Sequence, residues 1–259
     1  MREAALLLLV CLTAGEARAG AWTQAKGHWQ IITSFEAMHA DATFDALGAR
    51  DPSKSFDKLY LKSLVEYGWS DGITLFAAPE FVIAKSTQAG VVTQSADSAI
   101  EFGTRTRLSR RFGILSLQAS YKTAGPSDLT NSAPHDSAEV AEIRLLYGTN
   151  FTWRGHSGFF DLEAAKRWLS PPRPGETVLD ATMGLWLGPK TMVMLQSFNV
   201  IGTGSADPLA GDYRMHKLEL SVLRCLSDRW SLQAGAFLSP AGRNSLVEQG
   251  VAVSLWLRA

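Results

Sequence analysis

The fold class is decided by residues 100–122, which read Ile-Glu-Phe-Gly-Thr-Arg-Thr-Arg-Leu-Ser-Arg-Arg-Phe-Gly-Ile-Leu-Ser-Leu-Gln-Ala-Ser-Tyr-Lys. On both sides of a short turn at 109–113, charged or polar residues alternate with residues that are mostly apolar. Because successive side chains of a strand point to opposite faces, each half predicts a strand with one polar and one apolar face. The segment is therefore predicted to be an antiparallel β-hairpin.

The same alternation recurs along the rest of the chain. It predicts strands at 28–38, 56–67, 72–85, 97–109, 112–124, 138–152, 157–168, 176–187, 190–201, 213–226, 229–238 and 246–258. Short turns are predicted at 67–72, 109–113, 153–158, 187–190 and 226–230, and longer polar connections at 39–55, 86–96, 125–137, 169–175, 202–212 and 239–245. Short turns at one end and long loops at the other are typical of outer-membrane barrels. We therefore predict an all-β fold, a transmembrane antiparallel up-and-down β-barrel of about 12 strands.

The predicted strand length of about 10–14 residues favours a membrane barrel over a soluble β-sandwich or a lipocalin-like barrel. A tilted strand needs about 9–11 residues to cross a bilayer, whereas strands in soluble proteins average about five or six. Alternation alone fits both classes. After the N-terminal region no stretch approaches about 18 continuous apolar residues, which excludes an α-helical membrane protein.

The N-terminus has the pattern of a secretory signal peptide. Arg2 precedes a short apolar run from Ala4 to Thr13, and small residues at Ala17 and Ala19 suit signal peptidase cleavage. We predict a signal peptide at 1–19 and an outer-membrane barrel domain at 20–259, exported to the outer membrane of a Gram-negative cell. The expected partners are outer-membrane lipid and the barrel-assembly machinery.

The composition limits the other partners and the covalent chemistry. The chain has 25 basic and 25 acidic residues, and this balance gives no reason to expect a nucleic-acid partner. Once the signal peptide is removed, Cys225 is the one remaining cysteine, so no internal disulfide is possible.

Aromatic residues near the predicted strand ends predict the girdles that flank the apolar band of a membrane barrel. They are Trp22, Trp29, Tyr67, Trp69, Phe112, Trp153, Trp168, Trp186, Trp230 and Trp256.

The polar face of the strands is expected to line the lumen, because a charge on the lipid face costs about 2–4 kcal/mol at the midplane. The lumen-lining candidates are Glu101, Arg105, Arg107, Lys122, Glu142, Arg144, Asp161, Glu163, Lys217 and Glu219. They either coat a wet channel or pair across the lumen and close it. Since their signs are mixed, we expect ion pairs in a narrow pore, further occluded by an inward loop such as 39–55.

No catalytic, cofactor-binding or metal site is predicted, and the chain is not expected to be an enzyme. Nucleophile-elbow, zinc-protease, phosphate-loop and dinucleotide signatures are absent. The cluster His135-Asp-Ser137 stands together in a predicted loop, where neighbouring side chains usually point apart.

Two segments carry a resemblance to known proteins: Gly20-Ala-Trp-Thr-Gln24, and residues 58–75, which read Lys-Leu-Tyr-Leu-Lys-Ser-Leu-Val-Glu-Tyr-Gly-Trp-Ser-Asp-Gly-Ile-Thr-Leu, with Pro79-Glu80 soon after. They resemble uncharacterised proteobacterial outer-membrane barrels similar to the meta-pathway phenol-degradation channel family. The resemblance implies passive uptake of small, hydrophobic or aromatic solutes. The leading hypothesis is thus a porin-like channel for a small-molecule solute. A closed structural or ligand-binding barrel, and a barrel enzyme acting on lipid, remain as alternatives.

Overall fold

The computed structural model describes residues 20–52, 54–88, 90–123, 138–171, 173, 175–203 and 212–259, and regular secondary structure there is β-strand throughout. The predicted signal peptide and the 135–137 cluster lie outside these residues. The strands are β1 (Trp29–Ala40), β2 (Thr43–Phe44), β3 (Arg50–Asp51), β4 (Lys54–Ser70), β5 (Ile73–Gln88), β6 (Val91–Ser109), β7 (Ile114–Lys122), β8 (Val140–Trp153), β9 (His156–Leu169), β10 (Gly175–Gly188), β11 (Thr191–Thr203), β12 (Tyr213–Cys225), β13 (Trp230–Arg243), β14 (Ser245–Leu246) and β15 (Gln249–Arg258).

Twelve of these strands close into one antiparallel barrel in chain order, β1, β4 to β13 and β15. Closure occurs at β1, where Gln30 is the register partner of Glu66 on one side and of Arg258 on the other. The backbone N–H of Trp29 also donates to the carbonyl oxygen of Ala259 at 3.0 Å. The prediction of an all-β, up-and-down barrel of about 12 strands is confirmed. Both ends of the barrel chain lie at the same end of the barrel, which we call the terminal end.

The outer face of the barrel is apolar and exposed. On β8, for example, Ile143 and Leu145 are each close to half exposed, while Glu142 and Arg144 between and beside them are buried. A continuous apolar surface of this kind is unfavourable in water but matches the hydrocarbon of a bilayer. Among the described residues no helix is long and apolar enough to cross a membrane.

The prediction of a long loop is wrong at two places, 86–96 and 239–245, where the strands continue. Strands β5 and β6 continue through 86–96 as a paired hairpin that reaches Gln88↔Val91, and β13 continues to Arg243, which pairs with Arg214. Ser, Thr, Gln and Val suit an exposed strand as well as a loop, so once the hairpin has started, its backbone ladder continues beyond the apolar band. The barrel thus extends furthest at the end opposite the termini.

A small three-stranded sheet of β14, β2 and β3 covers part of that opposite end. Leu246 of β14 packs against the inward-facing Met38 and Phe237. In the turn before β3, the backbone N–H groups of Leu47 and Ala49 donate to Asp45 and hold the pKa of its carboxyl below its usual value. This contribution to the turn is present above the ordinary pKa and is lost as the pH falls through the lowered one. Residues 43–51 therefore lie against the rim.

Candidate functional site in the barrel lumen

The ten lumen-lining candidates all occupy the buried register positions of their strands. Arg105, Lys122, Glu142, Arg144, Asp161 and Glu219 are buried, and Glu101, Arg107, Glu163 and Lys217 are half-buried. Their chain neighbours on the outer face are mostly exposed apolar side chains. Twelve strands give an interior between a barrel of eight, which side chains just fill, and an open porin of 16 to 18. How these charged groups are compensated therefore decides how much open space remains.

One ion-pair network joins β8, β9 and β10. Arg144 contacts Glu142 at 2.7 Å, Asp180 at 3.0 Å and also Glu163. Arg167 bridges the same Glu142, at 2.6 Å, to Glu176 at 3.3 Å. Of the two predicted lumen residues on β9, Glu163 therefore joins this network directly, and Asp161 contacts Glu163.

A second set of pairs lies on the adjoining strands β4 to β7. Arg105 contacts Glu66 at 2.9 Å, Lys62 contacts Glu101 at 3.4 Å, and Lys122 contacts Glu80 two strands away. Farther round the barrel, Lys217 lies 3.9 Å from Glu36, with its ammonium 4.7 Å from the Phe237 ring centroid. Charges of both signs are interleaved around the wall, so the interior presents no field of a single sign.

The central feature of the lumen is one that the sequence did not predict. Residues 20–24, which we call the plug, enter the barrel ahead of β1, and Ala21 and Trp22 are buried there. The Trp22 ring packs edge-on against Phe159, with centroids 5.8 Å apart. A chain segment from the same molecule therefore occupies the interior near the terminal end.

The plug is held by side chains of five strands. Its hydrogen bonds run from Ala21 N to Asp161 (2.8 Å), from Ser116 Oγ to Ala21 O (2.6 Å), from Arg105 Nη1 to Trp22 O (3.1 Å), from Arg107 Nη1 to Thr23 Oγ1 (2.8 Å), from Gln24 N to Thr74 Oγ1 (2.8 Å) and from Gln24 Nε2 to Glu66 (2.8 Å). Arg105, Arg107 and Asp161 were predicted as lumen-lining, but their contacts with the plug were not. These residues therefore fix the position of the plug.

An apolar layer crosses the barrel at the level of the plug. Its buried members are Ala21, Trp22, Ile32, Leu146, Phe159, Met192, Met194, Leu223 and Trp256. The predicted girdle position is therefore wrong for Trp22 and Trp256, which are buried inside, and Trp186 also packs against this layer. By contrast, Trp69, Phe112 and Trp153 are more than half exposed, as a girdle requires. The plug thus contacts both the charged side chains of the lumen and this apolar layer.

Two cavities meet the plug from opposite sides. A cavity of about 960 Å³ opens at the terminal end, lined by Trp22 and by charged residues that include Asp71 and Arg229. A cavity of about 140 Å³ lies deeper, lined by Gly20 and by Asp161 among others. Since the two ends of the plug face different cavities, the plug and the apolar layer separate them.

Gly148 leaves the space that Trp22 fills. A Cβ at this position would lie 2.6 Å from Trp22 Cη2 and 3.1 Å from Ala21 Cβ. We expect Gly148→Ala to push Trp22 out of the apolar layer and to weaken plug docking by about 1–3 kcal/mol, the usual cost of overpacking. The measurement is the frequency of openings in single-channel recordings. Gly188→Ala is the matched control, because a Cβ there meets nothing within 4 Å; equal opening frequencies in the two variants would count against plug docking at Gly148.

The described residues hold no group of three or more His, Cys, Asp or Glu side chains arranged for a metal ion. Of the histidines, His39 contacts Asp57 at 2.7 Å and the ring of His156 contacts the Trp186 carbonyl oxygen at 2.8 Å. His216 contacts Asn199. The prediction that the chain is not an enzyme stays a prediction.

Solved structures with the same fold come from outer-membrane barrels. An outer membrane channel from Pseudomonas putida F1 matches with a TM-score of 0.70 and 11% identity, over 94% of this chain and 100% of that chain. The translocator domain of autotransporter NalP from Neisseria meningitidis matches with a TM-score of 0.56 and 12% identity, over 91% and 90%. The beta domain of the Bordetella autotransporter BrkA matches with a TM-score of 0.51 and 14% identity, over 90% and 99%.

At these identities the likeness establishes a shared barrel fold. No protein-family model matches the chain, and no curated protein matches it. The resemblance to the phenol-degradation channel family therefore stays a prediction.

Proposed function

We propose that this protein is an outer-membrane channel for the passive uptake of small solutes, closed in this structure by its own plug. The observation that carries the proposal is how the plug is held. Residues 21–24 dock through side-chain hydrogen bonds and take no part in the strand pairing of the barrel. Their displacement would therefore leave the 12-strand ladder intact and join the two cavities.

The deeper cavity supports a small, aromatic solute. Its walls combine three aromatic rings, Phe159, Phe198 and Trp256, with polar groups that include Thr182, Gln196 and the carboxyl groups of Asp161, Glu163 and Asp180. A volume of about 140 Å³ is close to the ~150 Å³ cavities that hold one benzene-sized molecule. Aromatic walls with a few polar groups are the usual composition of a small-molecule site. Together with the resemblance to phenol-degradation channels, this favours single-ring solutes.

The test is single-channel recording of the refolded protein in a planar bilayer, with and without the plug. A channel gives discrete conductance steps, and we expect phenol to reduce the current more than an equal concentration of glycerol does. If neither the full-length protein nor a variant lacking residues 20–24 conducts after verified insertion, the channel proposal is wrong.

The second candidate is a closed structural or ligand-binding barrel. It is favoured by the apolar layer, which takes buried side chains from six barrel strands and from the plug. In that case the plug variant would stay closed, because the layer itself would seal the lumen. Both candidates place the chain in the outer membrane, in contact with lipid and inserted by the barrel-assembly machinery. No observation in the described residues favours a barrel enzyme acting on lipid.

A further inference from the structure

The first residue of the plug lies directly against a buried carboxylate. A Cβ on Gly20 would be 2.3–2.4 Å from the carboxylate atoms of Asp161, so a side chain at this position would displace the Asp161 carboxyl group. With a Cα–N bond of about 1.46 Å, the Gly20 nitrogen lies within about 5 Å of the Asp161 oxygens.

Asp161 forms no direct ion pair with lysine or arginine in the part of the chain that the structure describes, and its attraction to Arg105 acts over a longer distance. It is 3% exposed, accepts the backbone N–H of Ala21 and contacts the carboxyl group of Glu163. Glu163 and Asp180 line the same cavity, and Arg144 contacts both of them. A buried carboxylate is costly unless it is paired. Three carboxyl groups line this cavity and Arg144 contacts two of them, so the cavity keeps an excess of negative charge.

The missing positive charge is available if the chain is cut where the sequence predicts. Hydrolysis of the Ala19–Gly20 peptide bond adds one water, which leaves a carboxylate on the released leader and an amine on Gly20. That amine takes up a proton, because a free α-amino group is mostly protonated at neutral pH. We propose that the α-ammonium group of Gly20, created by signal peptide cleavage, binds the Asp161 carboxylate and anchors the plug inside the barrel.

This assignment makes the mature N-terminus a ligand of the lumen. Oppositely charged groups within about 4–6 Å favour each other's charged forms, and the effect is larger where water is excluded. In an uncleaved chain, residue 19 would adjoin Gly20 beside a cavity of only about 140 Å³, and the nitrogen would carry no charge. Plug docking is therefore coupled to maturation. The proposal depends on cleavage and on the plug, and not on which solute passes.

The test is the reactivity of the Gly20 amine towards a water-soluble acylating reagent at pH 7, measured by mass spectrometry of the N-terminal peptide. The protein is purified from outer membranes after export, so its N-terminus is the natural one. We expect a mature chain that begins at Gly20, and labelling that is about tenfold slower than in Asp161→Asn, which corresponds to about 1.4 kcal/mol. Asparagine keeps the shape and still accepts the Ala21 N–H, so only the charge changes.

The control variant is Asp57→Asn, which removes an exposed carboxylate that contacts His39; its labelling rate is expected to equal that of the wild type. If Asp161→Asn does not fold, a refolded barrel with the two extra residues Met-Leu before Gly20 replaces it, since the displaced ammonium should label faster. A mature chain that begins elsewhere, or equal rates in wild type and Asp161→Asn, would overturn the proposal. The readout does not need conduction, so the proposal and the channel function fail separately.

Discussion

Removal of residues 20–24 is expected to raise the single-channel conductance severalfold over that of the full-length protein. The plug fills the barrel at its apolar layer, with Trp22 buried and packed on Phe159, so its loss opens the path between the two cavities. Every strand of the barrel remains, because the deletion ends before Trp29, where β1 begins. Conductance steps in planar bilayers are the measurement.

The matched control removes five residues at the opposite end of the barrel, 45–49. This segment joins β2 to β3 at the rim and has no contact with the plug in the interactions described above. We expect the control to conduct like the full-length protein. An equal rise in both deletions would mean that loosening of the barrel, and not the loss of the plug, opens it.

Arg144→Met is expected to destabilise the barrel by about 3–5 kcal/mol, the usual cost of removing one partner from a buried ion pair. The Arg144 guanidinium contacts three carboxylates, on Glu142, Glu163 and Asp180, and its side chain is 9% exposed. Without it these groups remain close together with less compensation. The measurement is the free energy of unfolding in urea, for barrels refolded into the same lipid.

The matched control for this variant is Arg224→Met, because Arg224 is an exposed arginine that contacts Thr191. We expect this control to change the free energy of unfolding by less than about 0.5 kcal/mol, as most surface substitutions do. Adding Glu142→Gln and Glu163→Gln to Arg144→Met should recover part of the lost stability, because the effects of substitutions at contacting residues are not additive. A loss below about 1 kcal/mol for Arg144→Met would indicate that water in the lumen already screens these charges.

The barrel itself could be predicted because strand periodicity is a local property. Most inward charges have apolar neighbours in sequence, as Arg144 has in Ile143 and Leu145, and the lipid on one side enforces this pattern. The same alternation also indicates the position of Trp256. Trp256 is two residues from the inward-facing Ser254 and lies next to the outward-facing Leu255, so the sequence indicates that its ring points inward.

The plug could not be predicted in this way. Residues 20–24 carry no periodicity, and the position they take depends on a lumen whose width is set by the number of strands. Their partners, such as Thr74, Arg105 and Ser116, are far away in sequence and come together only when the barrel closes. Gly20 is the predicted first residue of the mature chain, but its contact with Asp161, whose carboxyl group a side chain at this position would displace, depends on the closed barrel.

The central claim is that residues 20–24 close a lumen that is otherwise continuous. The most direct measurement is thiol labelling of Met194→Cys, which faces the deeper cavity, in a background where the remaining cysteine is removed by Cys225→Ser. We expect a small water-soluble thiol reagent to react slowly in the full-length barrel and more than about tenfold faster once residues 20–24 are deleted. A tenfold change in rate corresponds to about 1.4 kcal/mol in the free energy of exposing the thiol. Equal labelling rates in the two proteins would contradict the account.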